Sequence, residues 1–333
     1  MTTPFQRELE IALSAVKQAS QICRSVQAAI TDEVLEKKDK SPVTIADFSS
    51  QAVICRALNE AFPQDPIIGE EDAAELHLEE NHEFLEKIVA ELNKAEIPET
   101  SPENVCRWID HGGAKEYSSR FWTLDPIDGT KGFLRKEQYA VSLALIVDGK
   151  IVLGILGCPN MPFPIDETVT GTLYYTVADQ GAFAIPLNQD DQEQAAFPIR
   201  VTTTDDFSQS RFCESVESGH SSHGHSQQVA EKLDIEKEPR RLDSQAKYAV
   251  VAQGNADIYM RLPTRVGYRE KIWDHAAGVL LVQEAGGTVT DITGKPLEFD
   301  QGYELKNNQG VIVTNGPLHP ELIQTLGELA INE

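Results

Sequence analysis

The 333-residue sequence is short of basic residues, of cysteine and of long apolar runs, and each shortage removes a class of function. Against 53 acidic residues stand 29 lysines and arginines, a formal net charge of −24. A general nucleic-acid surface needs clustered positive charge, so a nucleic-acid polymer is not an expected partner. An anionic small molecule is still admitted, provided that cations and local Lys or Arg invert the field at its site. The cysteines (Cys23, Cys55, Cys106, Cys158 and Cys213) are odd in number, widely spaced and form no CxxC pair. They predict reduced, packed thiols and a cytoplasmic protein, with the nucleus as the alternative compartment. No apolar run approaches the length of a membrane span. Met1 to Leu13 shows no basic region ahead of an apolar core. Neither a membrane nor a signal peptide is therefore expected. What is present, 41% hydrophobic residues, suffices for one large core or two moderate ones.

One stretch stands out: Phe121-Trp122-Thr123-Leu124-Asp125-Pro126-Ile127-Asp128-Gly129-Thr130. Its first four residues read as a buried strand. Two carboxylates then arrive three apart across a proline, which fixes its own φ and holds Asp125 extended. Gly129 admits a sharp turn with positive φ. A stiff hinge carrying two acids at a strand end suits a hard divalent cation such as Mg²⁺, which wants oxygen ligands in fixed geometry. The carbonyl of Ile127 is a candidate third ligand, and the Thr130 hydroxyl a group to orient water. The competing reading is an acidic surface turn.

Taken in order, the chain opens with an amphipathic helix on Leu9, Ala12, Leu13, Val16, Ala19, Ile22, Cys23, Val26 and Ile30. Ser41 to Ile45 reads as extended, with Asp47 at the mouth of a second helix, where an N-cap role would account for it. Ile67-Ile68 reads as a short strand running into Gly69-Glu70-Glu71-Asp72, otherwise a solvated acidic loop. Residues 73–105 form an acidic, partly helical elaboration. Tyr139 to Val147 and Lys150 to Gly157 read as strands joined at Asp148-Gly149, a hairpin signal. Thr172 to Val177 and Gly181 to Ile185 are further strands. The polar stretch Asn188 to Pro198 is the candidate boundary between a domain of residues 1–195, carrying most of the acids, and one of residues 196–333. Beyond it, strands and helices alternate. Asp274 to Ala285 reads as a helix ended by Gly286-Gly287, and Pro320 to Leu329 as the last one. The whole is mixed α/β in two lobes.

Trp273-Asp274-His275-Ala276-Ala277-Gly278 adds an acid at a helix start, favoured there by the dipole in any protein, followed by small residues that permit close approach. Glu70, Asp125, Asp128 and Asp274 all fall at element ends and can converge on one cleft. Two cations roughly 3.5–4 Å apart on such a set can activate water for in-line phosphoryl displacement. His220, His223 and His225 match no closed zinc set and bring no cysteine.

The Asp125 to Thr130 and Trp273 to Gly278 motifs, with Gly69-Glu70-Glu71 upstream, resemble the inositol monophosphatase superfamily of Mg²⁺-dependent phosphatases. Within it, the chain is similar to the 3′(2′),5′-bisphosphate nucleotidases of fungi and plants. That likeness is carried by Lys40 to Thr44, Lys131 to Arg135, Gly219 to His223, Asp243 to Tyr248 and Tyr268 to Asp274. It spans nearly the whole chain and is weakest over 73–105 and Asn188 to Pro198.

The resemblance implies a layered αβαβα sandwich of the inositol monophosphatase/fructose-1,6-bisphosphatase type. It implies two or three Mg²⁺ ions, one on Glu70, Asp125 and the Ile127 carbonyl, another on Asp125, Asp128 and Asp274. Asp47 and Thr130 would orient and deprotonate the attacking water, with Thr130 also touching substrate. His220, Ser244, Lys247 and Arg261 would hold the nucleotide. The implied reaction is lithium- and sodium-sensitive hydrolysis of adenosine 3′(2′),5′-bisphosphate, and of its phosphosulfate. Separately, a monomer is expected. Apart from the resemblance, Lys247 and Arg261 suit an anchor for a spare phosphate in this acidic chain, or else surface salt bridges. The alternatives are an inositol phosphate phosphatase of the same fold and a non-catalytic nucleotide sensor.

Overall fold

The structure is a computed structural model that describes residues 4–30, 41–188, 196–216, 223–263 and 267–331. Helices α1 (Gln6–Ala28) and α2 (Ser41–Ala61) pack on each other and cover one face of a seven-stranded sheet. Its strands follow chain order: β1 (Ile67–Gly69), β2 (Arg120–Asp128), β3 (Ala140–Val147), β4 (Lys150–Phe163), β5 (Asp166–Val177), β6 (Ala182–Pro186) and β7 (Phe197–Ile199). The first sheet thus takes strands from both sides of residues 189–195, which lie outside the described residues. Helices α3 (His82–Lys94) and α4 (Pro102–Asp110) close a satellite core against α2.

The second sheet has the order β11-β12-β10-β8-β9, from β8 (Phe212–Glu214), β9 (Arg240–Arg241), β10 (Ile258–Arg261), β11 (Thr288–Thr290) and β12 (Val311–Thr314). Helices α7 (Ala246–Ala252) and α8 (Ala276–Glu284) lie between the two sheets. The short α5 (Thr130–Leu134) follows β2, and α6 (His223–Lys232) and α9 (His319–Glu328) cover the outer face of the second sheet. The result is the five-layered αβαβα sandwich expected. Its layering is written in the strands by alternation: Ile258 and Met260 face the outer helices, while Tyr259 faces α7 and α8. Along β2, Trp122 and Leu124 face α1 and α2 while Phe121 faces the middle layer. Strands buried on both faces read as unbroken apolar runs, and for that reason they were legible.

The hairpin at Asp148-Gly149 forms as expected, with positive φ at both residues (49° and 74°). One expectation fails. Ser41 to Ile45 is not extended but helical, and Asp47 lies inside α2 rather than at its N-cap. A proline in the first turn lacks only an amide that has no acceptor there. Burial of Val43, Ala46 and Ser50 then outweighs the weak preference of Val, Thr and Ile for strands. Helix α4 was not anticipated, although Ser101-Pro102 marks its start: the Ser101 hydroxyl accepts from the Asn104 amide at 3.2 Å.

Candidate active site

The site begins with a fault in the sheet. On β2, Asp125 pairs with Ser142 but Asp128 with Ala140, so three steps on one strand match two on the other. Residues three apart on a regular strand point to opposite faces. The extra residue of this bulge restores the phase and brings both carboxylates to the same cleft. Pro126, with no amide to donate, is at home in the interruption. Strand β1 runs parallel to β2 with Gly69 opposite Leu124, and the Glu70 amide donates to the Leu124 carbonyl at 3.2 Å. Glu70 therefore arrives beside Asp125. Gly129 (φ 93°) turns the chain into α5, and a Cβ there would fall 2.9 Å from the Ser244 Cβ. Only glycine lets the second lobe come that close.

Helix α2 fastens both acid-bearing segments from behind. Ser50 donates its hydroxyl to the Pro126 carbonyl at 3.0 Å. The Gln51 amide donates to the carbonyls of Glu71 (2.5 Å) and Ile109 (3.1 Å) and accepts from the Glu71 amide at 3.1 Å. From the other lobe, the Gln245 amide nitrogen donates to Asp128 Oδ2 at 2.6 Å. The Gln245 side chain donates to the Trp273 carbonyl at 2.8 Å and accepts from the Gly278 amide at 3.3 Å. Gln245 thus ties the second strand-end acid to the turn that carries Asp274.

A cleft of about 300 Å³ collects Glu70, Asp125, Ile127, Asp128 and Asp274 on one wall. Thr130, Ser244, Lys247 and Arg261 line it as well. Asp47 lies behind this wall, buried, close enough to act on the charge of Asp125. His220 lies outside the described residues, as do Lys40 and the Gly219 to Ser222 stretch and the side chain of His223. Asp274 sits in a single 3-10 turn (Ile272–Asp274) just ahead of α8, not within that helix.

Crowded carboxylates repel: Asp125 is buried, Asp128 and Asp274 are half-buried, and Glu70 as a whole residue is exposed. Loss of water around its carboxyl first, then Asp274 and Glu71, push Glu70 up to about 8. Burial, followed by Glu70, Asp128 and Asp274, holds Asp125 well above the usual carboxylate range. Asp128 is raised by desolvation and Asp274, against the pull of Lys247 and Arg261. Burial, with Glu71 and Glu70, raises Asp47. Such a set, all oxygen donors, with Oδ1 of Asp125 lacking a hydrogen-bond partner among the described residues, fits a hard divalent cation.

This crowding sets the sign of a stability measurement. A raised carboxyl binds its proton more tightly in the folded state, so it favours folding below its unfolded value near 4.5 and loses that contribution as pH rises through about 8. In EDTA the melting temperature is therefore expected to fall between about pH 6 and about pH 8.5, and saturating Mg²⁺ to flatten the slope. A scanning-calorimetry series checks this. A metal-free protein that is firmer at the higher pH contradicts the crowding.

Several residues that build the site were not singled out with roles from the sequence. Gln51 lies on the helix that carries Asp47, and Gln245 lies in the Asp243 to Tyr248 motif, so each stands beside a residue with an expected role. Glu270 and His275 fall inside the Tyr268 to Asp274 and Trp273 to Gly278 motifs but carry no expected role there. With Asp274 they place one ligand atom each within 4.8 Å of one another, a group that could hold a metal ion. Among the described residues no helix is long and apolar enough to cross a membrane.

The sequence profile of the inositol monophosphatase family matches residues 6–330. A 3′(2′),5′-bisphosphate nucleotidase of Schizosaccharomyces pombe is 42% identical, covering 96% of this chain and 95% of its own. 3′(2′),5′-Bisphosphate nucleotidase 1 of Candida albicans is 43% identical over 98% of this chain and 97% of its own. A rice 3′(2′),5′-bisphosphate nucleotidase is 40% identical over 99% and 96%. Among solved structures, an inositol monophosphatase from Anabaena superposes with a TM-score of 0.63 at 22% identity, over 98% of this chain and 97% of that one. CysQ from Bacteroides thetaiotaomicron superposes with a TM-score of 0.61 at 21% identity, over 93% and 98%. The structures speak for the fold and the sequence matches for the lineage: the chain belongs to the inositol monophosphatase family.

Proposed function

We propose that the protein is a Mg²⁺-dependent phosphatase that hydrolyses the 3′(2′)-phosphate of adenosine 3′(2′),5′-bisphosphate to AMP and phosphate, with the phosphosulfate as a second substrate. The observation that carries this reading is the meeting, in one cleft, of four crowded carboxylates with the cations Lys247 and Arg261. The relatives named for this activity match along nearly their whole length, which supports it.

In this reading Glu70, Asp125 and the Ile127 carbonyl hold one Mg²⁺, and Asp125, Asp128 and Asp274 hold a second. Bound there, the ions supply Lewis-acid stabilisation of the phosphoryl group and a more acidic water. The chain does the rest. Asp47, kept basic by burial and neighbouring acids, takes the proton that Thr130 directs towards it. Lys247 Nζ is fixed by the Ser244 carbonyl at 2.8 Å, and Ser244 and Lys247 with Arg261 hold the phosphate that is not cleaved. His220 contacts the nucleotide. Lithium, competing for a cation position, inhibits. The protein works as a monomer in the cytoplasm, where five buried, unpaired cysteines stay reduced.

Phosphate release in Mg²⁺ should rank adenosine 3′,5′-bisphosphate above AMP, inositol 1-phosphate and inositol 1,4-bisphosphate. A charge-assisted contact is worth about 1.5–3 kcal/mol, or roughly one to two decades. Lys247→Met should lower kcat/KM for the bisphosphate by that factor and leave 3′-AMP, which has no second phosphate, little changed. Preference for an inositol phosphate, or binding without turnover, overturns the proposal.

A further inference from the structure

Behind the Arg261 side of the cleft, buried polar side chains stand in line. Tyr248 Oη lies 2.7 Å from His275 Nδ1, and His275 Nε2 lies 3.2 Å from Glu270 Oε2. The same Glu270 oxygen is 2.8 Å from Arg261 Nε, and Arg261 Nη2 is 3.5 Å from Asp274 Oδ2. A carboxylate can only accept, so Nε2 of His275 carries the proton that Glu270 receives, and Nδ1 is left to pair with the Tyr248 hydroxyl. His275 is fully buried and Glu270 nearly so. Burying a carboxylate this deeply is tolerated only when it is paired and hydrogen-bonded. Glu270 is held on two sides, by the arginine in front and the histidine behind.

Two readings of this group compete. Glu270, His275 and Asp274 are close enough to ligate a metal. But the cation between the two carboxylates is already there, in the form of the Arg261 guanidinium. A metal ion beside Glu270 Oε2 would meet that charge at hydrogen-bond range and strip the carboxylate of both its donors. Arginine also does what a metal would not: its fork is planar, so engaging Nε and one Nη fixes the plane of the whole group. Arg261 itself lines the cleft.

We propose that Glu270, backed by His275 and Tyr248, is a positioning residue that locks the Arg261 guanidinium against Asp274 and so fixes the orientation in which Arg261 meets the phosphate that is not cleaved. The proposal rests on the function proposed above for this cleft. Glu270 and His275 do not line the cleft; they act through Arg261, which does. Release of that lock lets the guanidinium turn, and binding of the spare phosphate then loses its pre-organised partner.

The test is a double-mutant cycle of Glu270→Gln and Arg261→Ala. KM and kcat for adenosine 3′,5′-bisphosphate, the Kd of AMP by calorimetry, and the apparent Mg²⁺ affinity from the cation-induced rise in melting temperature are read for all four proteins. Glu270→Gln is expected to raise KM and the AMP Kd by about tenfold, the size of one charge-assisted contact. It should leave Mg²⁺ affinity within about twofold and add nothing once Arg261 is alanine. If Glu270→Gln does not fold, His275→Gln serves in its place, with a smaller rise that likewise vanishes without Arg261. Equal penalties in both backgrounds would make the pair merely structural and overturn the proposal. A fall in Mg²⁺ affinity with KM unmoved would make Glu270 a cation ligand and overturn it equally. The AMP measurement needs no turnover. A wild type that leaves the bisphosphate intact would therefore refute the proposed reaction while the cycle still decides the role of Glu270.

Discussion

Asp128→Asn is expected to lower kcat by at least about three decades while leaving the metal-free protein as stable as the wild type or more so. The first half follows from the loss of a charged oxygen ligand, since a cation's share of transition-state stabilisation is worth several kcal/mol. The second half follows from crowding. Asp128 is half-buried beside Asp274, Asp125 and Glu70, and its carboxyl is raised by desolvation and by Asp274. Removing one charge relieves repulsion in the set. The asparagine side-chain oxygen can still accept from the Gln245 amide, so the tie between the lobes survives. The measurements are turnover in Mg²⁺ and melting in EDTA. Loss of both activity and stability would mean that Asp128 serves the fold, and retained activity would remove it from the cation site.

Gly278→Ala should be strongly damaging although it adds only one methyl group. A Cβ at Gly278 would lie 2.4 Å from Cγ and 2.5 Å from Cδ2 of Tyr248. Helix propensity alone argues the other way, by about 1 kcal/mol in favour of alanine. Sterics decide, because Tyr248 is buried on α7 with its hydroxyl held by His275 and cannot swing clear. At the adjacent position of the same helix, Gly154 of β4 lies against Ala277, where a Cβ would meet the Ala277 carbonyl at 2.9 Å. Helix α8 is therefore clamped and cannot retreat. Overpacking of this kind costs about 3 kcal/mol. The melting temperature should fall, and KM should rise as Tyr248 is pushed out of line with His275. In a Tyr248→Leu background the same substitution should cost far less. A stabilised Gly278→Ala protein would show that propensity, not packing, governs the position.

The acids were legible because chemistry restricts them: two carboxylates across a proline at a strand end have few uses. The device that aims them, the bulge between Asp125 and Asp128, was not legible, because register belongs to the pairing with β3 and not to β2 alone. The small residues after Asp274 were read as permitting close approach, and Gly278 against Tyr248 is that approach. Ser41 to Ile45 misled because β-branched residues beside a proline favour extended backbone locally, whereas the packing of α2 on α1 and β2 is a long-range effect. Glu270 and His275 stand within recognised motifs, but their roles were not legible for the same reason. Their partners, Arg261 and Tyr248, come from different elements, so the contacts cannot be read from the neighbouring residues.

The central claim is that the wall of Glu70, Asp125, Asp128 and Asp274 holds the divalent cations on which a phosphate is cleaved. Crystals grown with Mn²⁺ in place of Mg²⁺ and measured at the manganese edge locate bound cations without assuming a reaction. The account predicts anomalous peaks among these four carboxylates, two of them roughly 3.5–4 Å apart, with one lost in Asp128→Asn. Peaks confined to Glu270 and His275, or none in the cleft, would contradict it.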